Sequence, residues 1–124
     1  MTFIGITLAV IFFIAIAFRP AKASIAGSNN EGNPALPDSV MKIVQKACMD
    51  CHADDGNFMA KGKINFSSWD KYDSEKQFNK ANAMCKELTK SAMPPKKWRT
   101  NNPKDIPTQA DVDMVCRWAK SLQK

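Results

Sequence analysis

Cys48-Met49-Asp50-Cys51-His52 decides how this chain is read. The pattern is C-x-x-C-H, the attachment pattern of a c-type haem. Its spacing follows from the chemistry. Two cysteine sulfurs must reach two vinyl groups on one side of a porphyrin. The next residue, a histidine, must turn its imidazole beneath the ring toward the iron. Cys48 and Cys51, one turn apart on a helix about to end, satisfy both needs. Other readings of a C-x-x-C pair fare worse. A thioredoxin-like redox pair needs a preceding strand in a βαβ context, and the sequence offers neither. A zinc site needs two further Cys or His ligands, and Cys85 and Cys116 do not form a second short-spaced pair. A chance match sits poorly with the export-like leader described below.

His52 is the sole histidine. A second histidine ligand from this chain is therefore impossible, and the far side of the iron must take Met, Lys, water or nothing. Of the seven methionines, Met1 lies in the leader, and Met41 and Met49 are too near the attachment helix to reach the opposite face. Met84 and Met114 fall within helices, where Met commonly fills the core. Met93 precedes Pro94-Pro95, whose fixed backbone can hold a sulfur in place without a helix. Met93 is the expected sixth ligand, and Met59 is the alternative.

Outward from this stretch, three helices are legible. The first starts near Pro37-Asp38-Ser39 and places Val40, Ile43, Val44 and Ala47 on one face. The second runs from about Ser74 to Lys90, with Phe78, Ala81, Cys85 and Leu88 inward. The third starts at Thr108, where Thr108 and Asp111 form a capping box, and buries Val112, Val115, Cys116, Ala119 and Leu122. The stretches from Asp54 to Asp73 and from Ser91 to Pro107 read as irregular, and no strand pattern stands out. Loops of that length in a small domain make sense if a macrocycle fills the middle.

Residues 1–23 differ from the rest. Phe3 to Phe18 (FIGITLAVIFFIAIAF) carries no charge. As a helix it would span about 24 Å, against roughly 30 Å for a bilayer core. Ala21-Lys22-Ala23 is an A-x-A cleavage pattern, whereas the lack of a basic residue ahead of the run and the aromatic-rich length incline toward an uncleaved anchor. Either way, residues 1–23 are expected to bring the chain to a membrane. Residues 24–36 (SIAGSNNEGNPAL) read as a flexible linker, and residues 37–124 as the folded domain.

With 124 residues, 44% hydrophobic and 24% charged, the chain is too short for a two-domain nucleotide-binding enzyme and too apolar for a disordered tail. The balance of 18 basic to 12 acidic residues suits an acidic partner or anionic surface. Nucleic acid is not expected, because the one aromatic-rich stretch, Phe66-Ser67-Ser68-Trp69, has no RNA-recognition or OB pattern around it.

The chain resembles the bacterial haem-binding domain family related to monohaem cytochromes c. The resemblance rests on CMDCH at 48–52, KGKINFSSWDKY at 61–72, SAMPPKKW at 91–98 and a closing helix that ends in Trp118, and covers about residues 38–122. It implies an all-α, cytochrome-c-like fold wrapped around one covalent haem c, with His52 as proximal and Met93 as distal ligand. The chain departs from the family by lacking an aromatic-rich insert and further histidine after the attachment pattern. Its extra Cys85 and Cys116 also differ.

In an oxidising compartment Cys85 and Cys116, both inward on their helices, are expected to form a disulfide around Met93, worth about 3–4 kcal/mol by chain entropy. Two buried free thiols are the other possibility. Trp69, Trp98 and Trp118 read as pocket and core packing, with Trp69 or Tyr72 as a possible donor to a haem propionate. Lys86, Lys90, Lys96, Lys97 and Arg99 crowd around Met93, either as a solvated face or as a basic rim that steers an acidic redox partner. The expected function is electron transfer by a membrane-associated, periplasmic monohaem cytochrome, as a carrier or a subunit of a respiratory or photosynthetic complex, without enzymatic activity. The alternative is a peroxidase-like haem enzyme or gas sensor with an open sixth site.

Overall fold

The computed structural model describes residues 33–123; the apolar leader and most of the stretch read as a linker lie outside them. All the regular structure among the described residues is helical. α1 spans Asp38–Ala47, α2 Met49–His52, α3 Phe58–Lys63, α4 Ser74–Thr89, α5 Lys96–Asn101 and α6 Gln109–Ser121, with a 3₁₀ helix at Phe66–Lys71 between α3 and α4. No described helix is long and apolar enough to cross a membrane.

The core sits where α4 packs on α6 and α1 packs on α6. Val40, Ile43, Val44 and Ala47 recur at helical spacing, so one face of α1 is wholly apolar and wholly buried. α6 contributes Val115, Trp118 and Ala119, and α4 contributes Ala81 and Leu88. The expected capping box at Thr108 and Asp111 is present, with each side chain accepting the other's backbone N–H. α4 starts in the same manner, where Asp73 accepts from the Lys76 N–H at 2.7 Å.

The two stretches expected to be irregular are better ordered than that. The first holds α3 and the 3₁₀ helix, and the second holds α5. Each of these three is only six residues long, too short for a hydrophobic period to stand out. Two of them announce themselves instead through asparagine caps. Asn57 accepts from the Met59 and Ala60 N–H groups, and Asn65 accepts from Ser67 N–H. Phe78 was expected inward on α4 and is only half-buried, while its neighbour Gln77 is fully enclosed. Gln77 Nε2 donates to the Trp69 carbonyl at 3.1 Å, so a polar side chain fastens the 3₁₀ helix to α4.

Trp69 anchors the aromatic part of the core, 5.3 Å from Trp118 and 6.4 Å from Phe66 between ring centroids. Its indole N–H donates to Pro34 O at 3.1 Å, and Leu36 is buried. The chain is thus already held against the domain from Pro34, four residues before α1, at the end of the stretch read as a linker. Trp69 thus packs in the core as expected, and its N–H is engaged by backbone, which leaves Tyr72 as the other option named for a propionate donor.

Candidate functional site

α1 closes at Cys48, which leaves helical geometry at φ −123° and ψ −36° and starts the single turn of α2. Cys48 O accepts from the N–H groups of Cys51 at 3.1 Å and His52 at 2.9 Å. One carbonyl therefore gathers both attachment cysteines and the histidine into a single turn. Both thiols are free and half-buried. Burial, with the Cys51 thiol beside it, pushes the Cys48 thiol up to about 12, so it stays protonated at neutral pH.

His52 Nδ1 lies 3.1 Å from Ile64 O. A carbonyl can only accept, so Nδ1 carries the proton and Nε2 keeps its lone pair. A metal-ligating histidine is held in this manner, its second nitrogen pinned to a fixed acceptor. The Phe66 ring meets the imidazole edge-on, 6.1 Å between centroids, and limits its rotation. The residues therefore fit a covalently held haem: two reduced thiols one turn apart that could take its vinyl groups, beside one imidazole whose Nε2 could take the iron. An open depression bordered by Met49, Asp50, Ala53 and Asp55 lies alongside.

The Ile64 carbonyl is set by a corner that sequence reasoning left without a role. Asn65 Nδ2 donates to Asp54 Oδ1 at 2.7 Å, Asn65 N–H donates to Tyr72 Oη at 2.9 Å, and Asp54 N–H donates to Ser67 Oγ at 3.2 Å. Lys61 Nζ reaches Asp54 O at 2.7 Å. Gly56 brings the same loop under α2, for a Cβ there would stand 2.5 Å from Cys51 O; only glycine allows that approach. The Asp55-Gly56 pair was the available sign of this turn.

Met93 is not among the residues that border the depression beside the C-x-x-C-H turn. It is 40% exposed and edges a cavity of about 140 Å³ with Leu88, Pro94, Arg99, Ile106 and Val112, a wall that does not include His52. The chain arrives there from α4 through Ser91, in left-handed backbone at φ 54°, and Met93 N–H points at Glu87 O at 3.4 Å. It leaves through a cis bond to Pro94 and enters α5. There Trp98 Nε1 donates to Asp50 Oδ2 at 3.0 Å, inside the attachment turn. Met59, the alternative ligand, is 70% exposed on α3 beside Phe58 at 79%.

Cys85 and Cys116 are bonded, with sulfurs 1.98 Å apart, and join α4 to α6. The four cysteines thus divide into one bridge and two reduced thiols. Of the expected basic rim, Lys86, Lys90, Lys96 and Lys97 are exposed, while Arg99 is half-buried in the cavity wall.

A family model described as a haem-binding domain matches residues 58–121. The match takes in everything from α3 to the end of α6 and begins after His52, so the C-x-x-C-H turn precedes it. No curated protein and no solved structure matches the chain.

Proposed function

The chain belongs to the haem-binding domain family, and from that membership we propose that it is a monohaem cytochrome c that transfers electrons. The observation that carries this reading is the α2 turn, where two reduced thiols precede a histidine whose Nδ1 is held by Ile64 O and whose Nε2 is free. Cys48 and Cys51 would hold the haem as thioethers to its two vinyl groups, an addition that needs no oxidant. His52 would be an iron ligand through Nε2, and Met93 would be the other through its thioether. When bound, the haem would supply a one-electron iron couple.

The protein's part is to keep both ligands still. The Ile64 acceptor and the Phe66 edge hold the imidazole, while Pro94-Pro95 stiffens the backbone after Met93. Little then moves as an electron arrives, which suits a carrier better than an enzyme. The exposed lysines around Met93 support docking to an acidic redox protein, and the apolar leader supports a periplasmic, membrane-attached location.

The test is the full chain made with a cytochrome c maturation system. Intact mass is expected to show one added haem, lost in Cys48→Ser/Cys51→Ser. The oxidised protein is expected to show a sulfur-to-iron charge-transfer band that vanishes in Met93→Ala. Colourless protein with two unmodified thiols would sink the reading. Retention of the band in Met93→Ala would reassign the ligand, with Met59 next in line. An iron that takes up CO or peroxide readily in the wild type would favour the enzyme or sensor alternative.

A further inference from the structure

We propose that the hydrogen bond from Trp98 to Asp50 is a clasp that registers Met93 against the attachment helix, which makes Trp98 and Asp50 positioning residues of the site. The inference rests on the His52/Met93 reading above. Asp50 lies between the two attachment cysteines on α2, and its Oδ2 accepts from Trp98 Nε1 at 3.0 Å across 48 residues of sequence. Trp98 is in the first turn of α5, which opens directly after Met93-Pro94-Pro95.

Met93 is tied from both sides, and the two ties differ in what they reference. Upstream, Met93 N–H approaches Glu87 O, which fixes it to α4. α4 packs on α6, and α6 on α1, so this tie reaches the attachment turn only at the end of a relay of helices. Downstream, two prolines with fixed φ and one helical turn separate Met93 from Trp98. Few soft dihedrals remain, so the position of the indole is passed on to the sulfur. Trp98 is itself steadied from the far end of α5, where its carbonyl accepts from Asn102 N–H and from Asn102 Nδ2, each at 2.9 Å. A carboxylate acceptor strengthens the clasp relative to a neutral pair, and a half-buried indole offers one donor in one direction.

Imidazole is a suitable probe, because it competes with Met93 for the sixth position of the oxidised, haem-loaded full chain. Trp98→Phe keeps an aromatic ring and removes the N–H. Asp50→Ala removes the acceptor, while Asp50→Asn keeps one. Trp98→Phe and Asp50→Ala are each expected to raise the apparent imidazole affinity about fivefold to tenfold. Asp50→Asn should stay within about twofold of wild type, and the double variant should go no further than either single, since both break one bond. In a Met93→Ala background Trp98→Phe should change nothing. Asp73→Ala, which gives up the N-cap of α4, controls for general loosening of the fold and should leave imidazole binding as it was.

Wild-type affinity in both Trp98→Phe and Asp50→Ala would overturn the clasp. So would additive effects, an equal shift in Asp73→Ala, or an effect that persists without Met93. An imidazole affinity unmoved by Met93→Ala alone would overturn the ligand reading, and the clasp with it.

Discussion

His52 and Ile64 stand in a fixed relation, with Nδ1 of the imidazole donating to the Ile64 main-chain oxygen at 3.1 Å. Because the acceptor is backbone, no side-chain substitution at 64 deletes it, and the corner that aims the carbonyl becomes the sensitive part. Asn65 holds that corner by capping the 3₁₀ helix and donating to Asp54. Asn65→Ala is expected to cost about 1–2 kcal/mol, seen as a lower urea midpoint at unchanged slope.

The Cys85–Cys116 bridge spans 31 residues of sequence and closes a loop that contains Met93. Tying that loop in the unfolded chain should be worth about 3–4 kcal/mol. The Cys85→Ser/Cys116→Ser variant should lose that much in denaturant unfolding, and mild reduction of the wild type should reproduce the loss.

Cys48 makes the haem-free chain sensitive to alkali. In the folded state its thiol is raised from 9.0 to about 12 by burial and by Cys51. Between those values the unfolded chain has released this proton and the folded chain has kept it. Stability therefore falls as pH rises above 9.0, by up to about 1.4 kcal/mol per unit from this group. Unfolding of haem-free protein across that range should show the slope, and Cys48→Ala should remove it. Protein whose sulfur is capped as a thioether should lack it as well.

Ser91 ends α4 at φ 54°, a conformation in which a Cβ crowds the following carbonyl. The turn is otherwise complete, since Ser91 N–H reaches Leu88 O at 2.9 Å and Ala92 N–H reaches Glu87 O at 3.0 Å. Ser91→Gly is expected to gain up to about 1 kcal/mol, read as a raised thermal midpoint. A loss there would mean that the serine side chain stabilises the turn in a way its backbone geometry does not reveal.

Residues alone were enough for the helical class, the faces of α1 and α6 and the capping box at Thr108. Each of these depends on neighbours three or four positions apart, a distance over which helical spacing leaves its mark on the chain. The same reading went astray where the partner is remote. Trp69 or Tyr72 reads as an optional propionate donor, but the Trp69 N–H goes to Pro34 O, 35 residues earlier, and nothing local marks Gln77 as the side chain that the Trp69 carbonyl draws inside.

Folding alone decided which backbone oxygen pins His52, that the Asp54–Asn65 corner lies beneath it, and that Trp98 reaches back to Asp50. Such contacts are made between hydrogen-bonding groups that nearly every residue carries, so composition and spacing do not foretell them. They come into being only when packing of α1, α4 and α6 leaves one acceptor within reach.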